Sequence, residues 1–244
     1  EMCIRDSYSG YALDISDLTV QHASSDTGAI YFHQNSSITR CRFQFNESTN
    51  IGGAVQGNAL LVVQDSLFLE NQSRWSGGAI FSSSLEVRNT EFIENSNVYA
   101  EDGNDDASGG AISVVSDVLI EDSVFRGNQA ELNTDGAGTD WGYGGAIFQI
   151  TGSLTIKRSV FTENSAGSGG AVYQFYQGPL DVNGNTFNGN QAENPEGQGG
   201  AVRISAITSN AIITGNRFMR NEAWQGGALS MNDSGDLPER SWDA

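Results

Sequence analysis

The sequence predicts an all-β chain: a right-handed parallel β-helix (solenoid) of about nine coils. Three recurring columns carry that expectation. A glycine pair followed by alanine and an aliphatic residue stands at Gly52-Gly53-Ala54-Val55 and returns as Gly77–Ile80, Gly109–Ile112, Gly144–Ile147, Gly169–Val172, Gly199–Val202 and Gly226–Leu229, after a degenerate opening copy, Thr27-Gly28-Ala29-Ile30. Each copy but the last is followed by F-x-x-N, at Phe43/Asn46, Phe68/Asn71, Phe92/Asn95, Phe125/Asn128, Phe161/Asn164, Phe187/Asn190 and Phe218/Asn221. Five residues before each Phe stands a β-branched aliphatic: Ile38, Val63, Val87, Ile120, Ile156, Val182 or Ile213. The shortest spacing between motif alanines is 25 residues, a period typical of stacked repeats.

Within a coil each column has a structural reason. The glycine pair allows positive φ and a close backbone approach. Leu85-x-Val87, Leu154-x-Ile156 and Leu180-x-Val182 alternate as a strand with one buried face. Two residues before each Phe comes a small or polar residue: Cys41, Ser66, Thr90, Ser123, Ser159, Asn185 or Asn216. The Phe column is expected to stack ring on ring in the bore. The Asn column suits a turn, because Asn tolerates left-handed geometry and its amide can bond the backbone or the next Asn. A coil therefore reads as three short strands separated by bends. Strands this short cannot form hairpins at this period, so like stacks on like at about 4.8 Å, roughly 40 Å in all. Every repeat residue has an architectural role, and none is read as catalytic.

The 244 residues divide into a leader, residues 1–10, that matches no column and is taken as non-native or disordered; a β-helix domain over 11–231, opening on a partial coil with Leu13, Ile15 and Val20 in the strand and Phe positions; and a frayed tail or incomplete coil over 232–244. The chain reads as part of a longer protein whose export or anchoring segments lie elsewhere. Thirty acidic against 12 basic residues give a net charge of −18. That balance goes against binding nucleic acid or an anionic membrane, which needs Lys and Arg. It suits a self-repelling, soluble surface in an extracellular or saline setting. Cys41 packs in the small-residue column and Cys3 lies outside the repeat, so no disulfide framework is indicated.

Departures from the period are where function is sought. Between the motif Asn and the next glycine pair lie five residues after Asn71, but thirteen after Asn95 and fifteen after Asn128. Insertions in a solenoid become loops on one face, often the binding face. These two are acidic and carry Tyr99, Trp141 and Tyr143 as candidate contact residues. Their carboxylates, Asp102, Asp105, Asp106, Asp135 and Asp140, read first as solvated protrusions and second as a calcium site, since calcium takes six to eight oxygens from flexible loops. A second candidate surface is the residue after each motif aliphatic. If the aliphatic points in, Tyr31, Phe81, Phe148 and Tyr173 point out and form an aromatic ladder that could stack sugars or meet a partner protein; with the opposite phase these rings are core.

Enzymatic readings are weaker. Asn133-Thr134-Asp135 and Asp105-Asp106 superficially resemble polygalacturonase motifs, but in reversed order and with no Gly-His-Gly or Arg-x-Lys after them. A carbohydrate-active enzyme working at the acidic edge is the alternative function, and the balance goes against catalysis. His22 and His33 fall in no triad or metal-ligand spacing.

The GGA[IVL] tetrad followed by FxxN resembles the repeat of chlamydial polymorphic outer-membrane proteins, autotransporter adhesins with right-handed β-helix passengers. The resemblance covers roughly residues 13 to 231. It implies a surface-exposed, secreted or outer-membrane adhesion module. Its partners would be a host or neighbouring cell-surface protein or glycan, and no catalytic residue carries over.

Overall fold

A computed structural model of the chain describes residues 4–5, 12–98, 107–131, 142–176, 178–207 and 211–233. Those residues are all-β with no helix, and every paired strand is parallel to its neighbour in one of three stacked sheets. The architecture is a β-solenoid.

Its cross-section differs from the expected three separate strands. The strand after the glycine pair and the Leu-x-aliphatic strand share one wide sheet of 15 described strands. In Val55–Gln64 and Ile80–Arg88 the two run on without a break. The bend between them shrinks to a slip in alternation at Ser83 and Ser84, and pairing continues on both sides of it. Small inward residues permit this. Ser82 is fully buried with its hydroxyl in reach of the Ala59 and Ser84 carbonyls, and Gly57 makes room for the Phe32 ring beside it. A strand unseen in the sequence follows each motif Asn from Asn46 to Asn190: Glu47–Ser48, Gln72–Ser73, Ser96–Asn97, Gln129–Ala130, Ser165–Ala166 and Gln191–Ala192 form a seven-stranded sheet with Ser24–Ser25 of the opening coil. Two residues are too few to show a period.

The third sheet, eight strands among the described residues, carries the phenylalanines. Register aligns Phe43, Phe68, Phe92, Phe125, Phe161, Phe187 and Phe218. Adjacent rings stack with centroids 4.7 to 5.0 Å apart and planes within 12°. The strand spacing sets that distance, and it falls inside the favourable range of about 4.5–7 Å. Ile15 and Val20 extend the core columns in register with Ile38 and Phe43. Ile4–Arg5 pairs with the strand Ile30–Phe32.

Polar ladders run beside the rings. Asn128 Nδ2 donates to Asn164 Oδ1 at 2.9 Å and to the Phe92 carbonyl at 3.0 Å, and the bonds repeat from Asn46 to Asn221. Each of these asparagines from Asn46 to Asn190 is fully buried. The amide-to-amide bonding matches the expectation, but the left-handed seat does not. It lies one residue earlier, at Phe45, Glu70, Glu94, Gly127, Glu163, Gly189 and Arg220. The Asn side chain must face inward to reach its neighbours, so the outward residue before it takes the turn. The small column forms a second ladder: Thr90 N donates to Ser123 Oγ at 3.2 Å and Ser123 N to Ser159 Oγ at 3.1 Å. The two glycines of a pair divide the expected roles. Gly77 takes positive φ (64°), whereas a Cβ on Gly78 would strike the Gly110 and Ser96 carbonyls.

Candidate functional site

The residue after each motif aliphatic does fall in one column. Register runs Tyr31, Gln56, Phe81, Ser113, Phe148, Tyr173, Arg203, Ser230. Tyr31 and Phe81 sit half-buried between buried neighbours, the pattern of an outward position. Phe148 and Tyr173 occupy the same column yet keep only 8% and 3% exposure. They are nevertheless not members of the hydrophobic core that fills the bore. The expected ladder of exposed rings is therefore replaced here by a closed cluster on the outer face.

That cluster has identifiable parts. Tyr143, on the bridge that precedes a glycine pair, leans over Phe148 (centroids 6.0 Å) and Tyr173 (5.1 Å). Phe148 and Tyr173 meet edge to face at 5.7 Å. Phe175 packs at 5.9 Å from Tyr173 and 6.3 Å from Phe148, and Tyr176 lies 4.2 Å from Phe175. The Arg203 guanidinium sits 5.0 Å from the Tyr173 ring centre and donates to Ser168 Oγ at 2.6 Å. The Tyr173 hydroxyl shares a hydrogen bond with Ser205 at 2.9 Å. Aromatic pairs favour offset and edge-to-face geometry, and a guanidinium over a ring adds cation–π attraction.

Tyr143, Phe148 and Tyr173 are thus brought together, while Tyr31 and Phe81 stand in other coils. Tyr31 meets His33 edge to face at 4.6 Å and accepts from Asn58 Nδ2 at 2.8 Å. Tyr99, Trp141, Asp102, Asp105, Asp106, Asp135 and Asp140 lie outside the described residues. Phe175 and Tyr176 are the additions the sequence reading missed, whereas Arg203 follows a motif aliphatic and so falls in the outward column. Strand alternation offered a signal for Phe175: Tyr173 faces out, Gln174 is buried, and Phe175 faces out again.

Among the described residues, charged groups on the corners form ion pairs. Arg40 makes a forked contact with Asp17 (2.8 and 2.7 Å), and Arg158 one with Asp122 (2.8 and 2.8 Å), one coil apart at the same corner. Hydrogen bonds from Arg40 and Arg158 hold the Asp17 and Asp122 carboxyls below their usual range, and both arginines are correspondingly raised. Asp117 is lowered because its Oδ1 accepts the Ser153 backbone N–H and hydroxyl, both at 2.8 Å. Among the described residues no three His, Cys, Asp or Glu side chains converge as metal ligands.

The family model of the Chlamydia polymorphic membrane protein repeat matches the chain at two places, residues 65–83 and 158–174. No curated protein and no solved structure matches it. Each matched stretch runs from a left-handed corner residue (Asp65 or Arg158) through the ladder serine, the stacked Phe and the buried Asn to the next glycine pair. Those are the parts that tie one coil to the next, and on them the chain carries repeats of the Chlamydia polymorphic membrane protein type.

Proposed function

We propose that the chain is a surface-exposed interaction module of adhesin type, a right-handed β-helix of about nine coils displayed at the outer membrane or released from it. Its partner would be a host or neighbouring cell-surface protein or glycan, and a further part of a longer chain would anchor it. The strong preference of parallel strand crossovers supports the right-handed choice. The repeat type, that of a membrane protein family, supports a cell-surface location. The observation that carries the reading is the division of labour among side chains. Repeat residues are used up inside by stacking and ladders, whereas, among the described residues, an outward aromatic cluster gathers at Tyr143, Phe148, Tyr173, Phe175 and Tyr176.

Binding of the purified chain to cells and to immobilised glycans, scored beside release of reducing or unsaturated sugars from polysaccharides, tests it. Retention on cells or glycans with no sugar release is the expected result. Catalytic release would turn the reading to the carbohydrate-active enzyme.

A further inference from the structure

We propose that Phe175 and Tyr176 form the seat of a neutral saccharide residue, an inference that rests on the interaction-module reading and names its ligand. The two rings are tilted 55° to each other with centroids 4.2 Å apart, so they pack directly against one another. Tyr176 keeps 45% of its surface exposed and Phe175 is half-buried. Behind them the support is firm. Phe175 rests on Tyr173 and Phe148, and Tyr173 is fixed in turn by Arg203 above it and Ser205 at its hydroxyl. The backbone is tied down as well, Phe175 N to the Gln149 carbonyl at 2.9 Å and Tyr176 N to the Ile150 carbonyl at 2.7 Å. A seat held in place before binding loses little freedom when the ligand arrives.

Ligand class follows from size and charge. A protein interface of ordinary stability covers about 800 Å² on each partner, far more than two rings offer. One sugar ring presents a face of weakly positive C–H groups that complements the negative face of an aromatic ring. The net charge of −18 repels acidic ligands. The guanidinium that packs on this cluster, Arg203, is engaged with Tyr173 and Ser168 and its Nε is buried, while the sole lysine, Lys157, pairs with Asp181 at 2.9 Å. A neutral hexose is the occupant these facts favour.

The test is a glycan array with neutral, sialylated and sulfated arms, probed with the wild-type chain and with Phe175→Ala, Tyr176→Ala and Tyr176→Phe, each checked for an unchanged melting curve. Neutral glycans should bind, with roughly tenfold weaker binding in either alanine variant, near-wild-type binding in Tyr176→Phe, and little response to added salt. Binding confined to sialylated or sulfated arms and lost in salt overturns the proposal, as does neutral-glycan binding that ignores both alanine changes. Retention on cells with no glycan bound also overturns it, leaving the interaction module with a protein partner. Failure to bind either cells or glycans removes both readings.

Discussion

At Asn128 one buried side chain takes part in four hydrogen bonds: it accepts from the backbone and Nδ2 of Asn95, and donates to Asn164 Oδ1 and the Phe92 carbonyl. Asn128→Ala strands the Asn95 backbone N–H and one of its two Nδ2 hydrogens in the interior, the other still reaching the Phe68 carbonyl. At about 1–3 kcal/mol each, the expected loss is about 2–6 kcal/mol in urea unfolding. Ser123→Ala strands only the Thr90 N–H and should lose about 1–3 kcal/mol. Phe125→Ala, between the Phe92 and Phe161 rings, should lose about 3–5 kcal/mol. Phe148→Ala should exceed the roughly 0.5 kcal/mol of an open surface site, because the outer cluster buries that ring. Equal losses at Phe81 and Phe148 would contradict the cluster. Asp17, Asp117 and Asp122 titrate below their unfolded values, so their contribution is present above roughly pH 4 and disappears as pH falls through the folded values. Acid unfolding of Asp117→Asn should accordingly be less steep than that of the wild type.

The coil corners show which positions in an element tolerate change. Gly110 has no room for a methyl group, because a Cβ would strike the Gly145 carbonyl and the Gln129 backbone. Gly127 occupies the left-handed corner (φ 62°), but its nearest obstacle is the flexible Glu94 side chain at 3.3 Å. Other coils place Glu94 or Glu163 at that corner without glycine. Gly110→Ala should therefore prevent soluble folding or separate the coils. Gly127→Ala should cost only the left-handed penalty of about 1–2 kcal/mol. Circular dichroism melting of the two variants side by side checks the contrast.

For the molecule as a whole, each coil contacts mainly the coils above and below, so stability approximates a sum of coil and interface contributions. The corner pairs Asp17–Arg40 and Asp122–Arg158 are exposed, and as surface ion pairs they contribute at most modestly. Charge also frames the acidic segments at 96–108 and 129–143. If they hold calcium, saturation at a hundredfold excess over the dissociation constant stabilises the fold by about 2.7 kcal/mol, magnesium does less, and Asp105→Asn with Asp135→Asn removes the effect. A melting curve unmoved by millimolar calcium identifies them as solvated protrusions.

The repeat was legible because its reasons are local and recur in every coil. A Phe facing the bore, an Asn with an amide to share and a glycine pressed against the next coil each leave a column in the sequence. Parallel register, the continuous core and the ring stack follow from those columns alone. The tertiary structure decided what a column cannot express. It merged two strands into one sheet where Ser82 and Gly57 let the bend flatten, and it added a two-residue strand too short to show a period. It also moved the left-handed seat from Asn95 to Glu94, since only one of the two side chains can face inward. The outer cluster was half-legible: alternation puts Phe148, Tyr173 and Phe175 on the outside. That Tyr143 and Arg203 close over those rings depends on residues 30 positions apart meeting across coils, and such contacts obey distance in space rather than position in the repeat.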